Sequence, residues 1–253
     1  MRRLMYGWRH YGRPTRDLLT GLAIVVAMLS PLYWAVVTSL KTELQSFASP
    51  PSLLPPTPTF AAYSDVIRAQ GGTLMTSLAI GLGTTAISLA IAVPAAHALS
   101  HLRMRATGLV VLILLVSQTV PTIVLGISLF KIYSEIGLLN SYLGLMVADT
   151  TYCVPFAILL IQAFMLNLPK ELLDAAEVDG AGEISIFFRV VVPLSRSAIL
   201  AAGLFSFLFA WGDFLFALTL TTNNSITPIS LGIYSYIGLH TEVWPDLMVT
   251  GPR

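Results

Sequence analysis

The chain reads as an all-α integral membrane protein, and three observations carry that reading. Apolar runs recur at 17–39, 74–99, 107–130, 141–165 and 198–220. Each meets the roughly 20 residues needed to cross about 30 Å of hydrocarbon. The chain is 55% hydrophobic and 11% charged, with a mean hydropathy of +0.78, whereas a soluble domain carries about 25% charge. Basic residues, finally, concentrate on alternate connections between the runs, as the positive-inside rule requires.

The first 16 residues form a basic tail with Arg2, Arg3, Arg9, Arg13 and Arg16. Arg103 and Arg105 follow the second run, and Lys170, Arg189 and Arg196 lie in the link 166–197. The other connections hold only Lys41, Arg68 and Lys131. Ten against three places the amino terminus and the 166–197 link in the cytoplasm. The net charge of +1 carries no comparable information. The first run is longer than a signal h-region, lacks a small-x-small cleavage site, and is expected to stay as a span. Segment 41–72 is external and holds Pro50, Pro51, Pro55, Pro56 and Pro58. That density favours stiff, extended backbone, either lying along the bilayer and holding the first span or serving as a plain linker.

The second run carries Gly81, Gly83, Thr84, Thr85 and Ser88 and ends in Pro94-Ala95-Ala96. Small residues let helices approach closely in lipid. The third holds Gln118, Pro121 and Thr122, and the fourth holds Asp149, Pro155 and the lone Cys153. One cysteine supports no disulfide framework and fits a small buried apolar residue. Proline within a span needs neighbours or water to satisfy the freed carbonyl. A packed bundle with a polar, kinked interior is therefore expected. A sixth run begins near Trp244 but reaches Gly251-Pro252-Arg253 too soon to span. The expected architecture is a six-helix bundle with five full spans and an incomplete sixth, and the chain is expected to stop inside that last helix.

The link is the most informative stretch. Pro169 suits a helix's first turn, where its missing N–H has no partner. Glu171, Asp174 and Glu177 follow near the positive end of the helix dipole. Ala175 and Ala176 keep one face flat, with Leu172, Leu173 and Val178 as apolar contacts. Gly180 and Gly182 break the helix and permit positive φ. A second amphipathic stretch, 184–192, carries Phe187 and Phe188 and closes with Arg189, and Pro193 then punctuates entry to the fifth span. The expected shape is a helix–turn–helix elbow over 167–194 that docks in a groove on another protein. The alternative is an amphipathic helix on lipid, which is usually rich in Lys and Arg; this one is acidic.

The run Asp174-Ala175-Ala176, Gly180 after three residues and Val192-Pro193 twelve further on resembles the EAA loop of bacterial ABC importer permeases. Glu171-Leu172, Val178-Asp179-Gly180-Ala181 and Val191-Val192-Pro193-Leu194 are similar to the carbohydrate-importer branch, as are Pro58, Tyr63, Thr76-Ser77-Leu78, Ala96-His97-Ala98-Leu99 and Trp211-Gly212-Asp213-Phe214. The resemblance covers about residues 17–250. Departures are Asp174 for the motif glutamate, His97 where tyrosine is common, Gly212 where a polar residue often sits, and Ala62 for a frequent asparagine. The resemblance implies the transmembrane domain of a type I ABC importer over 17–253, in a bacterial inner membrane. It implies a second, homologous permease, two cytoplasmic ATPase subunits and an external solute-binding protein as partners. ATP and Mg would sit on the ATPases, with no cofactor or metal on this chain. The ATPase-coupling residues would be Glu171, Asp174, Ala175, Ala176, Asp179, Gly180, Phe187 and Pro193, and His240, Thr241, Glu242 and Val243 would meet the binding protein.

Asp213 has two readings. Beside Trp211 and Phe214 it could line the translocation pathway, since aromatic and carboxylate groups together hold sugars and a charge at membrane depth usually faces a cavity or partner. The alternative is that it caps a helix break or bonds a neighbouring span. The segment 221–243 reads as an external loop with Asn223, Asn224, Tyr234, Tyr236, His240 and Glu242. No GxxxxGK[ST] run is present to cradle ATP phosphates, and His10, His97, His101 and His240 read as scattered, without metal spacing. Nothing points to nucleic acid. Two other classes remain open: an ion-coupled secondary transporter using Asp149 or Asp213, and a membrane scaffold for an ATPase.

Overall fold

The computed structural model describes residues 13–46, 48–101, 106–223 and 225–241, and no strand occurs among them. The backbone divides into two units, 1–69 and 70–253.

In the first unit, α1 (Arg13–Ser39) is one long helix. Most of its apolar side chains are exposed, as a helix that meets lipid requires. The proline-rich segment behind it is more than a linker. Lys41 is buried; its Nζ donates to the Ser52 carbonyl at 2.7 Å and lies 4.7 Å from the Trp34 ring centroid. Tyr33 Oη donates to Leu53 O at 2.6 Å, and Thr59 N donates to Leu40 O at 2.9 Å. The segment thus closes on the end of α1. Helix α2 (Ala61–His101) starts in this unit and continues through the next.

In the second unit the expected third span is two helices. α3 (Thr107–Ser117) and α4 (Thr122–Ile136) meet at 93°. Pro121 is the cause: it lacks an N–H and disfavours helix at Val120, and its own backbone is extended at the start of α4. At 1.5 Å per residue, α3 is about 16 Å long and α4 about 22 Å, so neither crosses the membrane alone. α4 also runs past the expected end at 130, stopping where Gly137 turns left-handed with φ 73°.

α5 (Tyr142–Met165) is the central helix. Ser141 caps it, accepting from Gly144 N at 2.9 Å. α3, α8 and α9 all pack on it. The link forms α6 (Lys170–Val178) and α7 (Glu183–Leu194). The expected fifth span is α8 (Arg196–Gly212) and α9 (Leu215–Leu220), separated by Asp213 and Phe214. The segment 221–243, expected to be a loop, contains α10 (Ile229–Thr241). Its 13 residues reach only about 20 Å. The expected sixth span from 244 lies outside the described residues, as do Arg103 and Arg105.

Two cores hold this unit. One joins Ala92, Ala96 and Leu99 of α2 to Ala157, Ile161 and Met165 of α5, Ile186 and Val191 of α7, and Ala202 of α8. The other joins Ile80, Tyr133, Leu145, Ala148, Phe216 and Leu220. Alanines with no exposed surface at 92, 96, 148, 157 and 202 allow the close helix approach that packing in lipid depends on. Among the described residues, three helices are long and apolar enough to span, or up to five if each bent pair counts as one.

Candidate functional site

The elbow is a defined motif. Helix α6 ends with Ala181 N donating to Ala176 O and Gly180 N donating to Glu177 O, both at 3.0 Å. These are the two bonds of a Schellman cap, and Gly180 takes its left-handed position at φ 82°. Ala176 and Ala181, the residues that such a cap brings together, both rest on the first core. Gly182 differs from expectation: its φ is −72°, so no glycine-specific conformation is used there. Pro169 stands one place earlier than expected, as the extended residue before α6 rather than in its first turn.

Inside α7, residues Phe187–Val191 form a wide π-turn, with Val192 N donating to Phe187 O. Pro193 supplies the reason: an α-turn would drive its ring against the Arg189 carbonyl. Such single wide turns are frequent at functional sites. α7 then meets α8 at 74°, turning at Ser195, which is fully buried.

The elbow has an inner and an outer face. Leu173, Ala176, Ala181, Ile186 and Val191 pack inward. Glu171, Asp174, Ala175, Asp179, Gly180 and Pro193 are exposed. Ala175 and Ala176 therefore point to opposite sides and do not share one flat face. Apolar side chains also stand out, with Val178 88% exposed, Ile184 76% and Phe188 63%. Phe187 is half-buried, edge-on to Phe188 at 4.8 Å and 5.0 Å from the His97 ring. The histidines are less scattered than they read. His97 and His101 share a face of α2 with ring centroids 5.0 Å apart, but they gather no third metal-type ligand among the described residues.

Asp213 sits at the break between α8 and α9. Its backbone is extended, and its carboxylate accepts from Phe216 N at 3.3 Å and Ala217 N at 3.0 Å. It caps α9, which is the second of its two sequence readings. Trp211 stacks on Phe207 at 5.7 Å, and Phe214 meets Tyr234 of α10 at 5.2 Å. The three residues share a neighbourhood without converging on one point. His240 and Thr241 lie at the end of α10, and Glu242 and Val243 lie outside the described residues.

Two features escaped the sequence reading. The first is an aromatic cleft of about 190 Å³ beside the α3–α4 break, where Gln118 faces α5 and α8. Tyr152 stacks on Phe209 at 5.3 Å, and Phe156 meets Phe205 edge-on at 5.4 Å. Cys153 and Ser206, both buried, form its floor. Tyr152 Oη donates to the Val120 carbonyl, bracing the break. The spacing was a usable signal: Tyr152 with Phe156 and Phe205 with Phe209 are both i, i+4 pairs, one on each helix. The second feature is a buried polar seam. Asp149 is 2% exposed, and its Oδ1 has no hydrogen-bond partner, nor do the hydroxyls of Ser88, Tyr133 and Ser206.

Known proteins resemble this chain in sequence and in fold. Residues 87–238 match the family described as binding-protein-dependent transport system inner membrane component. The sulfoquinovosyl glycerol transport system permease protein SmoH of Agrobacterium fabrum is 32% identical, over 92% of this chain and 82% of its own length. The trehalose transport system permease protein SugB of Mycobacterium tuberculosis is 33% identical, over 87% and 80%. A solved bacterial ABC transporter involved in importing the acidic polysaccharide alginate shares the fold. It has a TM-score of 0.72 and 22% identity, covering 87% of this chain and 77% of the other.

Proposed function

Because the chain belongs to the family of binding-protein-dependent transport system inner membrane components, we propose that it is a permease subunit of an ATP-driven carbohydrate importer. It is a multi-pass membrane protein and a transporter subunit; its coupling, partners and orientation are the proposal. The single observation that carries it is the two-faced elbow. One face is fixed to helices α2, α5 and α8 through the first core, and the other offers Val178, Ile184 and Phe188 with carboxylates around them. Exposed apolar groups with a polar rim mark a protein contact. Seated on an ATPase, such an elbow moves as a rigid body and carries the bundle with it.

In this reading the amino terminus and elbow are cytoplasmic, and residues 17–253 act as the transmembrane domain. A second, homologous permease completes the pathway, with one ATPase docked on each elbow. ATP and Mg bind those ATPases, where hydrolysis occurs, and none binds here. An external binding protein delivers the sugar, and His240 to Val243 are its contact. The names of SmoH and SugB support carbohydrate as the cargo class.

The test is reconstitution of the chain with its partner permease, ATPases and binding protein in proteoliposomes. The reading expects sugar uptake that requires ATP and persists when ion gradients are collapsed. One observation favours a second reading: the buried Asp149 carboxylate with an unmet oxygen suits an ion-coupled transporter. Uptake that ignores ATP and stops with an ionophore would establish that alternative instead.

A further inference from the structure

We infer that residues 48–60 are an interfacial lipid anchor. Leu53, Leu54 and Phe60 seat at the acyl boundary of the leaflet opposite the basic amino tail, and the partner they meet is the lipid itself. The anchor belongs to the first unit alone.

Its depth is set by its bonds to α1. Tyr33 Oη donates to the Leu53 carbonyl at 2.6 Å. Lys41 Nζ, which lies against the Trp34 ring, donates to the Ser52 carbonyl at 2.7 Å. α1 ends at Ser39, so Tyr33 stands about 9 Å short of that end at 1.5 Å per residue. Helical side chains lean toward the N-terminus, so the tyrosine does not carry its partner outward. The apolar run of α1 closes at 39, and about 20 residues are enough to cross the hydrocarbon. The chain therefore leaves the end of the span and folds back to the level where hydrocarbon begins. The aromatic residues mark the same level. Tyr63 shares a 2.7 Å hydrogen bond with Ser39, and its ring is 6.0 Å from that of Phe60. Tyr33, Trp34 and Tyr63 are thus gathered at this end of α1, and such rings collect where membrane meets water.

The chemistry of the segment suits lipid. Leu53, Leu54 and Phe60 are 71%, 69% and 73% exposed, and the same end of α1 exposes Leu29, Leu32 and Val36. No residue from Leu44 to Ser64 is charged. The nearest cation, Lys41, is buried, with its ammonium on Ser52 and Trp34. Contact is therefore made by apolar side chains and not by attraction to lipid phosphate. Irregular backbone is costly near hydrocarbon because its N–H and C=O groups lose water. Here that cost is reduced. Pro50, Pro51, Pro55, Pro56 and Pro58 have no N–H to satisfy. The Ser52 and Leu53 carbonyls accept from side chains of the α1 end, and Thr59 N donates to Leu40 O at 2.9 Å.

The experiment uses the full complex in phosphatidylcholine proteoliposomes, with partner subunits free of reactive cysteine. In a Cys153→Ser background, Leu53→Cys, Leu54→Cys and Phe60→Cys each carry a nitroxide label. Its collisions with oxygen, which concentrates in lipid, are compared with those of a water-soluble nickel chelate. Val26→Cys, exposed within the span, is the lipid reference, and free label in buffer is the water reference. The expected oxygen-to-nickel ratio at all three positions is severalfold above that of free label and corresponds to about 5–10 Å below the phosphates. It should be the same with and without the binding protein. In the unaltered protein, a membrane-confined carbene reagent should modify residues 48–60. Nickel-dominated collisions at the three positions overturn the anchor, as does a segment that the carbene reagent leaves unmodified. Shielding from both quenchers would assign the patch to a partner subunit, and a ratio that changes only when binding protein is added would assign it to that protein; either result overturns the lipid assignment.

Discussion

His97 and Phe187 stand ring to ring, 5.0 Å between centroids and tilted by 45°. The pair joins the last turns of α2 to the wide turn inside the elbow. Both rings are half-buried, and Phe187 is in turn edge-on to Phe188. The elbow is thus tied to the bundle by an aromatic contact as well as by the aliphatic core. An aromatic pair contributes roughly 0.5–1.5 kcal/mol beyond its buried area.

His97→Ala is expected to lower the thermal midpoint of the purified protein by a few degrees and to raise the ATP spent per sugar carried. His97→Tyr keeps a ring at the site and should restore both. Parallel melting curves and uptake-to-hydrolysis ratios measure this. Equal ratios in the wild type and His97→Ala would remove the ring pair from the coupling path.

Gly180 is the second point of control. Its left-handed backbone costs a residue with a side chain roughly 1–2 kcal/mol, and the Schellman bonds depend on it. Gly180→Leu should leave the protein in the membrane but abolish coupled uptake, because the elbow loses its shape. Ala175→Arg, on the outer face, should do the same by obstructing docking while the elbow keeps its fold. Membrane fractionation and uptake in cells check both, and normal transport in the two variants would count heavily against the elbow.

Gly144 faces a different constraint. A Cβ there would lie 2.3 Å from the Leu138 carbonyl oxygen and 2.8 Å from Ser141 Oγ, so the cap of α5 has to shift. Gly144→Ala is expected to destabilise by about 1–3 kcal/mol, the usual range for overpacking. The measurement is a detergent melting curve, and an unchanged midpoint would show that the cap is loose.

Much of the fold is legible in the sequence because membrane spans are written in long apolar runs. The elbow is legible too, since glycine, proline and acidic residues punctuate it at fixed spacing. The misses have physical causes. The third run is apolar throughout, so hydropathy does not register that Pro121 turns it by 93°. Helix α10 reads as a loop because Asn223, Asn224 and Pro228 are turn residues, and the apolar stretch that follows is short. The roles of Gly182 and Ala176 are missed because composition does not give the rotation of a helix against its core. The aromatic cleft is hidden because its residues come from two helices and the α3–α4 break, and only the i, i+4 pairs hint at a shared face.

Asp213 shows how a capping role and a pathway role part in experiment. Its carboxylate accepts two backbone N–H bonds of α9, and loss of such a cap costs roughly 0.5–2 kcal/mol. Asp213→Ala should lower the melting midpoint, whereas Asp213→Asn, which still accepts a hydrogen bond, should recover most of the loss together with sugar-stimulated ATPase activity. Full stability with loss of sugar stimulation in Asp213→Ala would instead put the carboxylate in the pathway.

The measurement that bears most directly on the central claim is site-specific cross-linking from the elbow. Ala175→Cys in a Cys153→Ser background gives one thiol on the exposed face of α6. In inverted membrane vesicles containing the whole complex, a short cross-linker should join it to the ATPase subunit, with a yield that changes between the nucleotide-free and ATP-bound states. A thiol that instead reacts only from the outer surface, or only with a lipid-phase reagent, and meets no ATPase in either state would contradict the account.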